Sequence, residues 1–486
     1  MKIATPLPHR KSHLSPSTIL LTFIAAAALT TGCGTSGKPG PTFSGTTNVN
    51  VLLSSTANDQ LSQFNIGFTS LALTSEAGKT VNLFTTIQNA EFIHLNGGME
   101  PLLTVSVPQG IYTAATAIIG PASFTCVTID PTQNNLAVST FAYTSTPPSQ
   151  VTVNVPQPMT ITGSAMGLSL NMQVLPSATF SNCEGGGAVS YSINPTFNLT
   201  PVAFSPEVAE PGLDGQITAV NSAANSFTLA LPDGQSITVN ANNSTVYQGI
   251  NGFSLLSVGT FVDMDAAIQS DGSQLATRIA VEDTNTTNLS VSTGPLLQTS
   301  SGQPTLFGLE PQHEGYLTTS GQAAIFMPYS FGNAVFQLSG RFTNLQDLPF
   351  PATFDAANMF DGQNIYVTSH ATQVQGGPTY VPATTVTMMP QTINGTIVAT
   401  STDGSFTTYE VTLVAYDLIP TLAVQPGQTT VLTNPNSVVV YIDSNTLMLN
   451  TQPLAAGSAA RFNGMLFNDS GTLRMDCGQV NDGVTP

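Results

Sequence analysis

From Asn48 onward, apolar residues return at every second position in short runs, and Gly, Pro, Asn, Asp or Ser breaks each run. Successive side chains of a strand point to opposite faces, so this alternation fits half-buried strands and not a helix of period 3.6. The runs Asn50–Leu53, Phe64–Phe68, Leu71–Leu73, Thr80–Phe84 and Pro101–Val107 read as separate strands, followed by Gly110–Ile119, Val151–Val155 and Leu168–Val174. No segment sustains a capped helical stripe. The chain is therefore expected to be all-β, with residues 48–205 forming an antiparallel sandwich of inward apolar and outward Thr, Ser and Asn residues.

Pro206–Gly212 is acidic, Pro-bracketed and without period, which predicts an extended linker. A different grammar then starts. Its pieces are Asp214–Val220, Ser226–Leu231, Ser236–Val239, Ser257–Asp265 and Asp271–Ile279. Asn394–Ala399 echoes the opening, Leu454–Phe462 echoes the glycine-containing strand, and Ser470–Met475 echoes the closing hairpin. Phe360–Val367 fits the same glycine-containing strand. Three modules follow, at 213–284, 285–390 (divergent) and 391–480. Their recurring glycines predict a bend or bulge where a barrel turns a corner.

At the start of the chain, Lys2, Arg10 and Lys11 precede the apolar run Ile19–Leu29, which leads to Gly32-Cys33. That is the layout of an export signal, and the run is too short for a durable membrane span. Two readings stand: a lipoprotein signal over 1–32 with lipid on Cys33, or an ordinary signal peptide with a chance cysteine. The junction resembles a bacterial lipobox, although Thr30 stands where an aliphatic residue is expected. The flexible tether over 33–47 favours the lipoprotein, since acyl chains contribute roughly 0.8 kcal/mol per buried methylene. Gly34 after the cysteine, by resemblance to known lipoproteins, implies the outer membrane.

Nine Lys and Arg face 27 Asp and Glu, for a formal net charge of −18. Three of those cations lie in the leader. Six cannot line a phosphate-tracking groove, so nucleic acid is not an expected partner. An acidic surface is also repelled by anionic headgroups, leaving the lipid as the membrane contact. With 41 Gly, 33 Pro and no Trp, the composition suits an exported β protein with many turns. Export into an oxidising compartment predicts a Cys126–Cys183 disulfide, worth roughly 4 kcal/mol in the chain-entropy model. Cys477 is then odd, and expected to be a buried small hydrophobe.

Two stretches resemble known families. Val49–Leu53, Phe64–Leu73 and Val107-Pro108-Gln109-Gly110-Ile111-Tyr112 are similar to an uncharacterised N-terminal domain of bacterial surface lipoproteins, in which a Pro-x-Gly-x-Tyr turn enters a long strand. Ser54-Ser55-Thr56-Ala57 replaces that family's Asp-Ala-Pro. The module opening at Asp214 is similar to an uncharacterised small β-barrel repeat of exported bacterial proteins. That resemblance implies an OB-like barrel.

Candidate sites are sparse. Asp-Gly at Asp214, Asp233, Asp271, Asp361, Asp403 and Asp482 predicts hairpin turns rather than calcium loops. Asp263 and Asp265 share one strand face and are expected to be solvated. His94, His313 and His370 have no metal-ligand spacing, and no Cys-x-x-Cys, nucleophile elbow or phosphate loop occurs. The aromatics Tyr316, Phe326, Tyr329, Phe331, Phe336, Phe342, Phe350, Phe354 and Phe360 are expected mainly to pack a core, with a sugar- or protein-binding surface as the alternative. No cofactor, metal site or catalytic residue is predicted. The expected function is a non-catalytic envelope protein, anchored through Cys33, that binds a glycan or an envelope protein. The alternatives are a hydrolase with a site between modules and a purely structural spacer. Cys33→Ala should move the protein from the membrane pellet to the soluble fraction; a variant that stays in the pellet would place the anchor elsewhere.

Overall fold

The computed structural model describes residues 43–483 except 57–60, 87, 94, 96–98, 127–139, 142–148, 182–189, 203–208, 231–235, 270–272, 284–288, 299–303, 307–309, 314–326, 340–344, 371–380, 415–416, 418, 421–431, 449 and 451. Alternation of apolar residues becomes strand after strand, and the chain is all-β but for isolated turns of helix.

The first part is a sandwich. One sheet runs in the order Phe197–Val202, Ala165–Met172, Thr46–Ser55, Met99–Pro108. The other is built on two long partners, Leu61–Ser75 and Gly110–Cys126, with shorter strands on their free edges. The runs at Phe64–Phe68 and Leu71–Leu73 are thus one strand, whose pairing shifts register around Phe68 and Ser70. Pairing is antiparallel except between Thr46–Ser55 and Ala165–Met172. Val49, Val51, Leu53, Phe68, Phe92, Leu170 and Phe197 meet between the sheets. Between Pro108 and Gly110 the chain crosses from one sheet to the other in one residue. The Tyr112 hydroxyl donates to the Pro108 carbonyl at 2.8 Å, and its ring is buried. In the Pro-x-Gly-x-Tyr motif, the tyrosine is therefore a corner staple that pins the crossing.

Three barrels follow. Barrel 1 has strands Ala209–Asn221, Ser226–Ala230, Ser236–Asn240, Phe261–Ile268 and Gln274–Asp283. The first strand pairs with the second and fourth, the fifth with the fourth, and the third closes on the fifth in parallel. That is OB topology. Barrel 3 repeats it with Gln391–Asp403, Phe406–Leu413, Ser437–Ile442, Ala459–Asp469 and Thr472–Asp482. In barrel 2 the first and fourth strands are whole (Ser290–Gln298, Asn364–Ser369), the third and fifth are broken in two, and the second is described as Pro304–Leu306 and Glu310–His313; the pairing order is the same, including the parallel closure of Val335–Leu338 on Thr385–Met388. The expected linker is shorter than its sequence suggests, because Ala209 already pairs with Ala267.

A two-way backbone clasp identifies the three as copies. In barrel 1 the Gly259 N–H donates to the Ile217 carbonyl (2.8 Å) and the Ile217 N–H to Thr260 (2.9 Å). Gly362, Leu296 and Gln363 repeat this at 2.9 and 2.8 Å, and Gly457, Ile397 and Ser458 at 2.7 and 3.0 Å. The glycines sit at φ 92°, 88° and 89°, a region closed to most side chains. In barrels 1 and 3 the clasped residue also starts a bulge, at Ile217/Ala219 and Ile397/Ala399.

Asp-Gly has several roles rather than one. Asp403-Gly404 makes the expected hairpin, and Asp361-Gly362 is the clasp turn. Asp214-Gly215 instead lies inside a strand and Asp482 ends one, while Asp233 and Asp271 lie outside the described residues. Gly215 and Gly395 allow the second strand to pass close: a Cβ would stand 2.3 Å from the Ala230 and Thr412 carbonyl oxygens respectively. Gly395→Ala should therefore destabilise barrel 3 by about 2 kcal/mol or more, seen as a lowered calorimetric transition; an unchanged transition would deny the close approach.

Candidate functional site

The two carboxylates expected in water are not there. Val262, Met264 and Ile279 face the barrel 1 core, so Asp263, Asp265 and Arg278 lie on the outside of the fourth and fifth strands. Asp263 is nevertheless 2% exposed and Arg278 6%. Arg278 donates through its NH2 group to Asp263 at 2.6 Å and through Nε to Asp265 at 2.7 Å, and reaches the Gln248 amide oxygen at 3.4 Å. Burial alone would depress the guanidinium, but the charges of Asp263 and Asp265 outweigh it and hold Arg278 above its ordinary range. Sequence spacing predicted the shared face; the covering of that face had no signature. The register neighbours in the other copies are neutral across the pair: Thr368 and Thr385, hydroxyl to hydroxyl at 2.6 Å, and Asn463 beside Gln479. The triad is a local fastening of barrel 1, not a general property of the fold.

The outer face of the second and third strands, which OB folds use for ligands, differs between the copies. In barrel 1 it carries Thr228 and Ala230 against Thr238 and Ser236, with Thr218 and Asn240 at its margins, all exposed or half-buried and none charged. In barrel 3 the same face is covered at one end, where Phe406 and Tyr441 stand beside Arg474 of the fifth strand, while Glu410 and Thr412 stay exposed. Phe350 of barrel 2 packs on Tyr441 (ring centroids 4.9 Å) and on Phe467 (5.8 Å), under the Arg474 guanidinium at 5.6 Å. Arg474 also pairs with Asp469 at 2.7 Å and donates to the Tyr441 hydroxyl. Phe360 of barrel 2 goes further and enters the barrel 3 core.

The middle aromatics thus divide. Tyr329, Phe331 and Phe354 fill the barrel 2 core with Phe336 against them, whereas Phe350 and Phe360 bind barrel 3. Tyr316, Phe326 and Phe342 lie outside the described residues, as do Cys33, Cys183 and His94. Cys126 ends a strand, so the proposed Cys126–Cys183 bridge is not described. Cys477 is buried, burial pushes its thiol up, and it is inert by that measure. Among the described residues, no group of three or more His, Cys, Asp or Glu could hold a metal ion, and no helix is long and apolar enough to cross a membrane. Ser54, Ser55 and Thr56, at the position of the missing Asp-Ala-Pro, all bond to neighbouring segments: Ser54 to Ser169 (2.8 Å), Ser55 to the Phe92 carbonyl (2.5 Å), and Thr56 accepts from the Val174 N–H (2.9 Å).

A family model described as a domain of unknown function, DUF5666, matches residues 214–280, which lie within barrel 1. No curated protein matches the chain. Among solved structures, one described as "drosophila Unr CSD456" is 12% identical, with a TM-score of 0.12, covering 56% of this chain and 97% of that one. A multidomain protein with nucleic acid binding domains from Streptococcus pneumoniae is also 12% identical, with a TM-score of 0.11, covering 55% and 72%. At these scores neither likeness bears on function.

Arg278→Met strands two carboxylates on a covered face and should cost barrel 1 about 3–5 kcal/mol. Adding Asp263→Leu and Asp265→Leu should recover most of that loss in calorimetry; a single variant as stable as the parent would mean the triad is solvated.

Proposed function

We propose that this chain is an exported, non-catalytic envelope protein, held at the outer membrane by lipid on Cys33, whose β modules bind a glycan or protein partner outside the cytoplasm. The observation that carries this reading is the contrast between barrels 1 and 3. Barrel 1 presents its strand-two and strand-three face as an open, uncharged surface of Thr228, Thr238, Ser236 and Thr218. Hydroxyls offer both donors and acceptors to a sugar or a peptide without imposing a charge. The same surface lacks what single-stranded nucleic acid requires, namely a basic groove and stacking aromatics, and the whole chain carries −18. Barrel 3 covers the Tyr441 end of its copy with Phe350 and has Glu410 and Val439 where barrel 1 has Thr228 and Thr238, which favours barrel 1 as the binding module.

The test uses the whole chain as the Cys33→Ala variant on an array of neutral and acidic glycans. Neutral glycans should bind, and Thr228→Asp with Thr238→Asp should weaken binding about tenfold or more, ~1.4 kcal/mol. Binding that survives both changes would move the site off this face. Turnover of an ester or glycoside panel, abolished by a single Asp or Glu change, would replace binding by hydrolysis.

A further inference from the structure

Barrels 2 and 3 meet through two patches, and carboxyl groups stand at each: Asp476 half-buried at the first, Asp361 and Asp417 buried at the second. In the first, Phe350 lies between Tyr441 and Phe467 beneath Arg474. Asp476 stands beside Tyr441 in register on one side and Met465 on the other, with Arg474 two residues back on its own strand. Asp443, in the turn after Tyr441, repels Asp476, while Asp403 and Asp469 act on the Tyr441 hydroxyl. Among the described residues named at this patch, Arg474 is the one cation beside four carboxyl groups, of which Asp403 is exposed. In the second patch, Phe360 enters the barrel 3 core and Gly362 presses against Ile419, whose N–H donates to Asp417 Oδ1 at 2.8 Å. Asp417 is buried, Asp361 is buried next to Gly362, and the Gln363 amide donates to the Leu466 carbonyl at 3.0 Å.

We propose that this joint is proton-sensitive: barrels 2 and 3 lock together in acid and loosen as the pH rises through neutrality. Two carboxyls respond in the same direction. Burial, reinforced by Asp443, pushes Asp476 up to about 6. Burial pushes Asp417 up to about 7, against the opposing bond from the Ile419 N–H. Both start from 3.8. A folded-state value above the open-state value means that protons bind the closed joint more tightly. The contribution is therefore complete below pH ~4 and is lost as the pH climbs through 6 and 7. Above that range a closed joint must hold ionised carboxylates in partly dehydrated positions.

Hydrogen exchange of the full chain at pH 5 and pH 8, corrected for intrinsic rates, tests this. Amides of 345–354 and 360–363 should exchange about tenfold faster or more at pH 8, relative to those of barrel 1. Asp417→Asn with Asp476→Asn should keep pH 5 protection at pH 8. Asp443→Asn alone, which removes the like charge beside Asp476, should move the midpoint of the response to lower pH. Equal protection at both pH values, or an unaltered pH response in the double variant, would overturn the proposal. An unmoved midpoint in Asp443→Asn would do the same if the double variant does not fold.

Discussion

Each barrel carries a pair of backbone hydrogen bonds between its first strand, bulged at that point in barrels 1 and 3, and a left-handed glycine ahead of the fourth. A five-stranded sheet of this size must bend sharply to bring its third strand beside its fifth, and a regular ladder cannot bend without leaving N–H and C=O groups unpaired. The clasp solves both problems at one place. The extra residue at the bulge turns the strand, and the glycine supplies the N–H and a neighbour the carbonyl that the bulge would otherwise lose. Gly259, Gly362 and Gly457 are held by this geometry, while the residues around them have drifted far enough that the family model matches only the first barrel.

That division explains what could be read from the sequence. Backbone requirements leave compositional marks: alternation gives strands, Gly-x-Tyr gives the corner at Tyr112, and the recurring glycines expose the middle barrel despite its broken strands. Tertiary covering leaves none. Asp263-Met264-Asp265 reads as an ordinary half-exposed strand, and nothing nearby announces that Arg278, thirteen residues beyond Asp265, will be brought beside both carboxylates by a hairpin. Asp-Gly was a reliable sign of a bend in the chain at Asp403 and Asp361, but Gly215 answers to a different need, the close approach of a neighbouring strand, which a dipeptide cannot distinguish. Phe350 and Phe360 were legible as apolar anchors; that they belong to the next barrel's surface and core was not.

Under the proposed function, the copies divide binding from assembly. A barrel has one face well suited to a partner, and it can be left open or committed to a neighbour. Barrel 3 fills the positions around its third and fifth strands with Tyr441 and Arg474, which stack on and cap an aromatic ring. Barrel 1 has Asn240 at the position register-matched to Tyr441, and hydroxyls around it. Aromatic and guanidinium groups make a fixed, desolvated contact, whereas short hydroxyls stay hydrated and exchange partners at little energetic loss. The first chemistry suits a packed joint between modules and the second a hydrated, exchangeable contact.

Acidity links these two roles. A chain with so few cations has little to neutralise its carboxylates when they are buried, so most must stay in water and any that do not will favour the protonated form. Barrel 1 avoids this by using one of its scarce arginines on Asp263 and Asp265 together. Among the described residues at the joint between barrels 2 and 3, Arg474 is paired with Asp469, and Asp476 has Asp443 for a like-charged neighbour. The same shortage of positive charge therefore gives a barrel 1 whose two carboxylates share one guanidinium, and, on the proposal above, a joint between barrels 2 and 3 whose tightness follows the proton concentration.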